Sequence, residues 1–441
     1  MPYEMNAEAE DRLTGFLDVI GGVLANRKRK ASFATYAMGL LGEGDRKSVE
    51  PIAARAVGDP EGVNAAHQRL LHFIADSTWS DRSVRVAAAR YALSKVTQRG
   101  AVEAWIIDDT GMLKQGKHSV GVQRQYTGSA GKITNCQLAV SLSLATRCDH
   151  LPVDFELYLP RTWADDRKRR AEAKIPRQIR FRTKIELALQ MVRAAVNSDL
   201  PRGVVLADSF YGDAAHFRAE VRALDLHYAV GVSSNIAVWR ASKFGGRTGD
   251  RIGVAGLAAT IPPSSFHKVT WVEGTKAPLS GRFAVRRVVP CHADGTPPSE
   301  REAIWLVIEM EDGKGEPTKY YFASLPRETK RKALIRIIKQ RWRTERVYQD
   351  LKGELGFDHY EGRSFPGWHH HVSVAICCFA FVAAERAIAF SPGGGPTARA
   401  PEFDTSRAPL PRLVHHHPPR GGASLRGAVA IPLPGLSSAT P

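Results

Sequence analysis

The chain has 441 residues, with 62 Lys and Arg against 45 Asp and Glu for a net charge of +17, and 43% of it is apolar. That length allows two or three domains with cores of their own, and the charge points to a polyanionic partner, nucleic acid first and an anionic membrane surface second. The start MPYEMNAEAEDRL lacks a signal peptide's pattern, no apolar run of about 18 residues suggests a membrane span, and five cysteines without CxxC spacing argue against a zinc site or a disulfide framework and fit a reducing cytoplasm.

Residues 1–100 read as a helical domain, with helix signals at Arg12–Leu24, Val49–Val57 and Asp81–Val96 and an amphipathic stretch at His67–Trp79. The basic cluster Asn26–Lys30 suits a DNA-binding role for this domain. From 101 to 220 the pattern becomes α/β. AVEAWIIDDTG reads as a short buried strand ending in two aspartates, Ile133–Thr146 as one or two strands, 161–197 as a basic helical stretch, and PRGVVLADSFYG as an apolar strand ending on Asp208. Residues 221–326 are β-rich: LHYAVGVSS, HKVTWVEG, RFAVRRVVP, AIWLVIEM and TKYYFASLP are β-branched or aromatic runs set apart by turn signals. Residues 327–390 return to helix, one from near Glu328 to about Leu355 and a second near His369–Phe390. In 391–441, 10 of 51 residues are Pro and 7 are Gly, so this tail reads as disordered and His415–His417 as part of it. The abrupt change near 390 is what a frameshift would leave.

Two apolar strands that end on aspartate place carboxylates at the sheet edge where α/β enzymes bind ligands. A third carboxylate is available on RIIKQRWRTERVYQDLKGELG, where Arg341, Glu345 and Lys352 share one helix face. Converging carboxylates need cations, and hard oxygen ligands with open positions suit Mg²⁺ or Mn²⁺; two such ions can clamp an in-line phosphoryl displacement. Taken alone, Asp208 is also a good helix N-cap and Glu345 one half of a surface pair with Arg341.

The segments WIIDDTGMLKQGKHSVGVQRQYTG, LPVDFELYLPRTWADD, VVLADSFYG and RWRTERVYQDLKGELGFDHYEGRSFPGWHHHV, spread over about 105–372, resemble the DDE (Asp-Asp-Glu) transposases of bacterial insertion sequences. The resemblance implies a ribonuclease H-like catalytic core with a β-rich insertion between the second Asp and the Glu. It implies Asp109, Asp208 and Glu345 as catalytic metal ligands for two Mg²⁺ or Mn²⁺ ions. Arg341 and Lys352 match the Arg four residues before the Glu and the Lys seven after it. Ile338 stands where the family pattern has Tyr, so no Tyr role carries over. Asp108 rivals Asp109, because strand alternation lets only one of the two face the ions; Asp350 and Glu354 rival Glu345 but lie off its face. The implied reaction is attack of water on the phosphodiester at the element's end, then attack of the freed 3′-hydroxyl on target DNA, and no GxxxxGK[ST] nucleotide loop is present.

Residues 161–184 hold 10 basic and 3 acidic residues, and with the basic run 327–346 they are candidates for phosphate contacts, Lys168, Arg169 and Arg170 foremost. Trp342 reads as core rather than as a base-stacking residue, and His369–His371 receive no role. The expected partner is double-stranded DNA, held by a homodimer because two ends must be brought together, with no membrane. Two other readings stay open: another ribonuclease H-like nuclease, and an inactive transposase remnant that only binds DNA.

Overall fold

A computed structural model of the chain describes residues 7–242, 246–272, 279–291, 302–311 and 315–390; the tail 391–441 lies outside them. Five helices open the chain: α1 (Ala7–Leu24), α2 (Arg27–Leu41), α3 (Val49–Ala56), α4 (Pro60–Ala75) and α5 (Asp81–Val96). Their starts follow local chemistry. Asn26 accepts from the Lys28 and Arg29 amides, Asp59 from Glu61, and Ser80 from Ser83, each filling donors that a first helical turn leaves open.

Twelve strands among the described residues form one mixed sheet. Its centre is β1 (Val102–Leu113), antiparallel to β3 (Lys132–Thr146), which also pairs with β2 (Gln123–Thr127) and β4 (His150–Leu157). On the other side β1 runs parallel to β5 (Val204–Ala207), and β5 parallel to β6 (Tyr228–Val232). Between β4 and β5 lie α6 (Arg161–Ala164), α7 (Arg167–Glu172) and α8 (Lys184–Asn197); α9 (Ser209–Gly212) and α10 (Ala215–Ala223) follow β5. The sheet continues from β6 through β12 (Lys319–Ala323), β11 (Ile304–Met310) and β10 (Leu279–Pro290) to β7 (Ala237–Ala241) and β8 (Arg247–Gly253), with β9 (His267–Val272) on β10 and α11 (Val254–Ala259) between β8 and β9. The chain then returns as α12 (Arg331–Ile338), a 3₁₀ turn (Lys339–Trp342), α13 (Arg343–Gly353) and α14 (Phe365–Ala389).

Three differences from the sequence reading have physical causes. β1 does not stop at the aspartates; its ladder with β3 continues to Leu113↔Cys136, so Asp108 and Asp109 lie inside a strand. Its parallel pairing with β5 ends at Ile106↔Leu206, and this opens the sheet beside them. The helix expected from Glu328 to Leu355 is broken by the 3₁₀ turn, where consecutive side chains are drawn to two strands: Lys339 to Glu309 on β11, and Gln340 and Arg341 to Glu103 and Asp108 on β1. Lastly, α14 is long and apolar enough to cross a membrane, although no such run was expected, but nearly all of it is buried inside the fold.

That helix organises the N-terminal part. It is apolar nearly all round, as a buried core helix is, and it packs against α5, α4, α2, α1 and β4, so these N-terminal helices close on it in one apolar core with the sheet. Its histidines are structural. His370 stacks on Trp79 with ring centres 3.9 Å apart, and His371 bonds the Tyr36 hydroxyl at 2.9 Å. Arg85, buried beneath, reaches Asp81 at 2.7 Å, Asp154 at 3.0 Å and Ser373 at 2.8 Å, tying α5, β4 and α14 together.

Candidate active site

The opening between β1 and β5 is where the charged side chains meet. Asp208 directly follows β5 and caps α9, its Oδ1 accepting from the Phe210 amide at 3.0 Å and the Tyr211 amide at 3.5 Å. The cap reading and the site reading therefore describe one carboxylate. Behind it, Gly212 lies so close to β6 that a Cβ would stand 1.8 Å from the Gly231 carbonyl oxygen. Only glycine lets α9, and Asp208 with it, sit down on the sheet.

Alternation along β1 sends its two aspartates to opposite faces. Asp108 points towards α12 and α13 and meets Arg341 at 2.9 Å. Burial raises its pKa to about 7 although Arg341 opposes the shift, and the charges of Asp208 and Asp109 push in the same direction as burial. Asp109 faces α8, where its Oδ2 meets Lys184 Nζ at 2.6 Å; the same ammonium lies 4.1 Å from the centre of the exposed Phe210 ring. Lys184 opens α8 directly after Thr183, whose capping box with Glu186 fixes the start of the helix.

Glu345 is exposed in the first turn of α13. Burial works against the charge of Arg341, but Asp108, Asp208 and Glu345 together hold its pKa above the ordinary value. The guanidinium thus lies among carboxylates of three elements. Seven residues after Glu345, Lys352 Nζ donates to the Gly111 carbonyl at 2.7 Å and to Ser129 Oγ at 2.8 Å. Arg341 and Lys352 therefore bracket Glu345 and fasten α13 to β1, each already holding an internal partner. Tyr348 adds a bond to Ser141 on β3 at 2.6 Å.

The rivals of Glu345 are elsewhere. Asp350 is buried against Arg346 at 2.9 Å, and Glu354 caps the far end of α13. Ile338 is buried in the apolar cluster under α12, and Trp342 is half-buried. Among the basic candidates, Arg170 is held by the carbonyls of Ala164, Pro176 and Ile179, while Arg169 lies over the Trp163 ring and donates to Thr162 and Lys117 carbonyls. Lys168 is exposed.

The sequence that builds this site is matched by known proteins. The family described as DDE superfamily endonuclease matches residues 18–278, more than half of the chain. The chain belongs to the DDE superfamily of endonucleases. A second family of the same kind, the transposase DDE domain, matches residues 182–381 and so takes in Asp208 and Glu345. A relative from Microchaete diplosiphon, named "Probable transposase for insertion sequence element IS701", is 29% identical over 205 residues, 46% of this chain and 49% of the relative. The chain thus aligns with about half the length of that curated relative.

DDE endonucleases are metal-dependent, and carboxylates on β1, at the end of β5 and on α13, all felt by the Arg341 guanidinium, are the hard oxygen donors a divalent cation takes. Two protein cations already hold the β1 aspartates, Arg341 on Asp108 and Lys184 on Asp109, one on each face of the sheet. Among the described residues no group of three His, Cys, Asp or Glu side chains stands ready as a ligand set. A divalent ion on either β1 aspartate would have to displace the cation that holds it. Sequence reasoning saw Lys184 only as one charge in a basic run. The signal that could have singled it out is the capping box Thr183-x-x-Glu186, which fixes it as the first helical residue of α8.

Proposed function

We propose that this chain is a DNA transposase that cleaves at the ends of an insertion sequence and joins the freed strands to target DNA. The observation that carries the reading is the Asp108–Arg341 pair at 2.9 Å, whose guanidinium also feels the charges of Asp208 and Glu345, in a chain of the DDE superfamily. We take β4-β3-β1-β5-β6 with α12 and α13 as a ribonuclease H-like core, β7–β12 as a β-rich insertion, and α1–α5 as the part that grips the element's end.

Asp109, Asp208 and Glu345 are assigned as the ligands of two Mg²⁺ or Mn²⁺ ions, which when bound neutralise the carboxylates and the charge growing on the transferred phosphoryl group. The chain's own residues supply position. The α9 amides hold Asp208 at the end of β5, and before DNA binds Arg341 and Lys352 hold α13 against β1. Lys168, Arg169 and Arg170, with Arg341 and Lys352 once released from their internal partners, are assigned to DNA phosphates. Water and then the freed 3′-hydroxyl are the nucleophiles. A homodimer on DNA brings two ends together, in the bacterial cytoplasm and on the nucleoid.

The test is strand cleavage and joining on a labelled fragment of the element's own end with Mg²⁺. Glu345→Gln should bind the fragment yet cut at least about 10²-fold more slowly, the scale on which one electrostatic group acts in a transition state. Asp109→Asn should match it. A wild-type chain that binds the end and never cuts in Mg²⁺ or Mn²⁺ would support an inactive, binding-only protein instead.

A further inference from the structure

The hairpin of β2 and β3 carries the two most exposed large apolar side chains among the described residues, Tyr126 at 63% and Ile133 at 61%. They stand directly opposite each other in the antiparallel register and form one bare pair near the hairpin's tip. Parity followed from Asp108↔Ser141 along β3 to Ile133↔Tyr126 puts this pair, with Arg124, on the sheet face that carries Asp108.

The hairpin is also fastened to the carboxylate site. Lys352 joins Ser129 to the Gly111 carbonyl, and the Thr110 hydroxyl, one residue after Asp109, lies 3.5 Å from that of Ser129. Thr127 packs on Gly111 so tightly that a Cβ there would lie 2.0 Å from its Oγ1. The arm is therefore held at a set place beside the site.

Charge says what covers it. From Thr110 to Cys148 the chain has Lys114, Lys117, Arg124, Lys132 and Arg147 and not one Asp or Glu. A second copy of the hairpin would bring the same positive charge. A polyanion whose interior accepts flat apolar groups is the complement, and duplex DNA is such a partner.

We propose that the β2–β3 hairpin is a wedging arm for duplex DNA: Tyr126 and Ile133 enter a base step of the duplex lying across the carboxylates, and Arg124, on the same face, meets a phosphate beside it. The proposal rests on the nucleic-acid reading of the site but not on cleavage.

The test uses the full chain in EDTA, with a labelled duplex of mixed sequence followed by anisotropy and the same duplex carrying 2-aminopurine to report unstacking. The double variant Tyr126→Ser, Ile133→Ser should bind about 5- to 150-fold more weakly, the range of an aromatic–base stacking contact. Its salt dependence should be unchanged and the 2-aminopurine signal lost. Arg124→Gln should lower the slope of log affinity against log salt by about 0.9, one phosphate's worth. A double variant that melts like wild type and still binds and unstacks the duplex like wild type overturns the proposal. So does one that converts an oligomer to a monomer at full DNA affinity, because the pair then serves a second copy. If wild type binds through the hairpin and never cuts, the transposase reading alone falls; if it cuts and binds independently of the hairpin, the wedge alone falls.

Discussion

Lys184→Met isolates the competition between protein and metal for Asp109. The pair is 2.6 Å apart with side chains 22% and 24% exposed. Unit charges 4 Å apart at an effective dielectric of about 20 attract by about 4 kcal/mol. At this exposure desolvation and screening remove much of that, leaving about 1–3 kcal/mol. Methionine keeps an unbranched stem of similar length and removes the ammonium, with its contacts to Asp109 and to the Phe210 ring. Two opposite effects follow. Without divalent ions the variant loses that stability; with them, the ion no longer displaces an ammonium and binds about 5- to 150-fold more tightly, at about 1.4 kcal/mol per tenfold. Since ligand at a hundred times its Kd adds about 2.7 kcal/mol of stability, melting curves read both effects. In chelator Lys184→Met should melt below wild type, and in saturating Mn²⁺ or Mg²⁺ the gap should close or reverse, with a direct Mn²⁺ titration giving the affinity. An equal deficit in chelator and in metal would refute the reasoning and leave Lys184 a structural ion pair.

Gly212→Ala should push α9 off β6 and carry Asp208 with it, costing about 1–3 kcal/mol from overpacking and, in cleavage per folded molecule, about 10²-fold, as ångström-scale misplacement does. Arg85→Met should cost about 3–5 kcal/mol in urea unfolding, because Asp81, Asp154 and Glu156 stay buried without their shared cation. Burial raises the Asp350 carboxyl from 3.8 to about 6 against the pull of Arg346 and Arg386. Its folded pKa is thus above its unfolded one, so its contribution favours the fold in acid and is lost as the pH rises from about 4 through 6. Asp350→Asn should remove that part of the stability slope, which urea melts at the two ends of the window would show.

What was legible in the sequence is what is local. VVLADSFYG announces a strand, an aspartate and a cap in nine consecutive residues, and the structure uses all three. The strand runs of β6 and β9–β12 are legible because β-branched and aromatic residues between turns have few other uses. What was hidden depends on distant partners. β1 runs on through TGML because β3 is long enough to pair with it. The 3₁₀ turn exists because Lys339, Gln340 and Arg341 are claimed by carboxylates on strands far away in sequence. Residues 1–100 look self-sufficient, yet their apolar faces close on α14, whose own histidines read as unassigned polar residues until Trp79, Tyr36 and Glu156 meet them.

The paired aspartates of β1 show why a motif and a structure answer different questions. The motif favours Asp109 by its place before Thr110, and alternation then says only that its neighbour faces the other way. The structure gives both a cation, one on each face of the sheet. Asp108 holds Arg341 four residues before Glu345, so its carboxylate fixes where the 3₁₀ turn delivers α13; Asp109 holds Lys184, the first residue of a capped helix. An aspartate that positions the Glu-bearing helix and an aspartate that binds an ion would both silence the enzyme when replaced, so loss of activity cannot tell them apart. Metal affinity can: Asp109→Asn should weaken Mn²⁺ binding directly, whereas Asp108→Asn should leave Mn²⁺ bound and loosen α13, seen as faster amide exchange over Arg343–Gly353. Weaker Mn²⁺ binding in Asp108→Asn with α13 still protected would exchange the two roles.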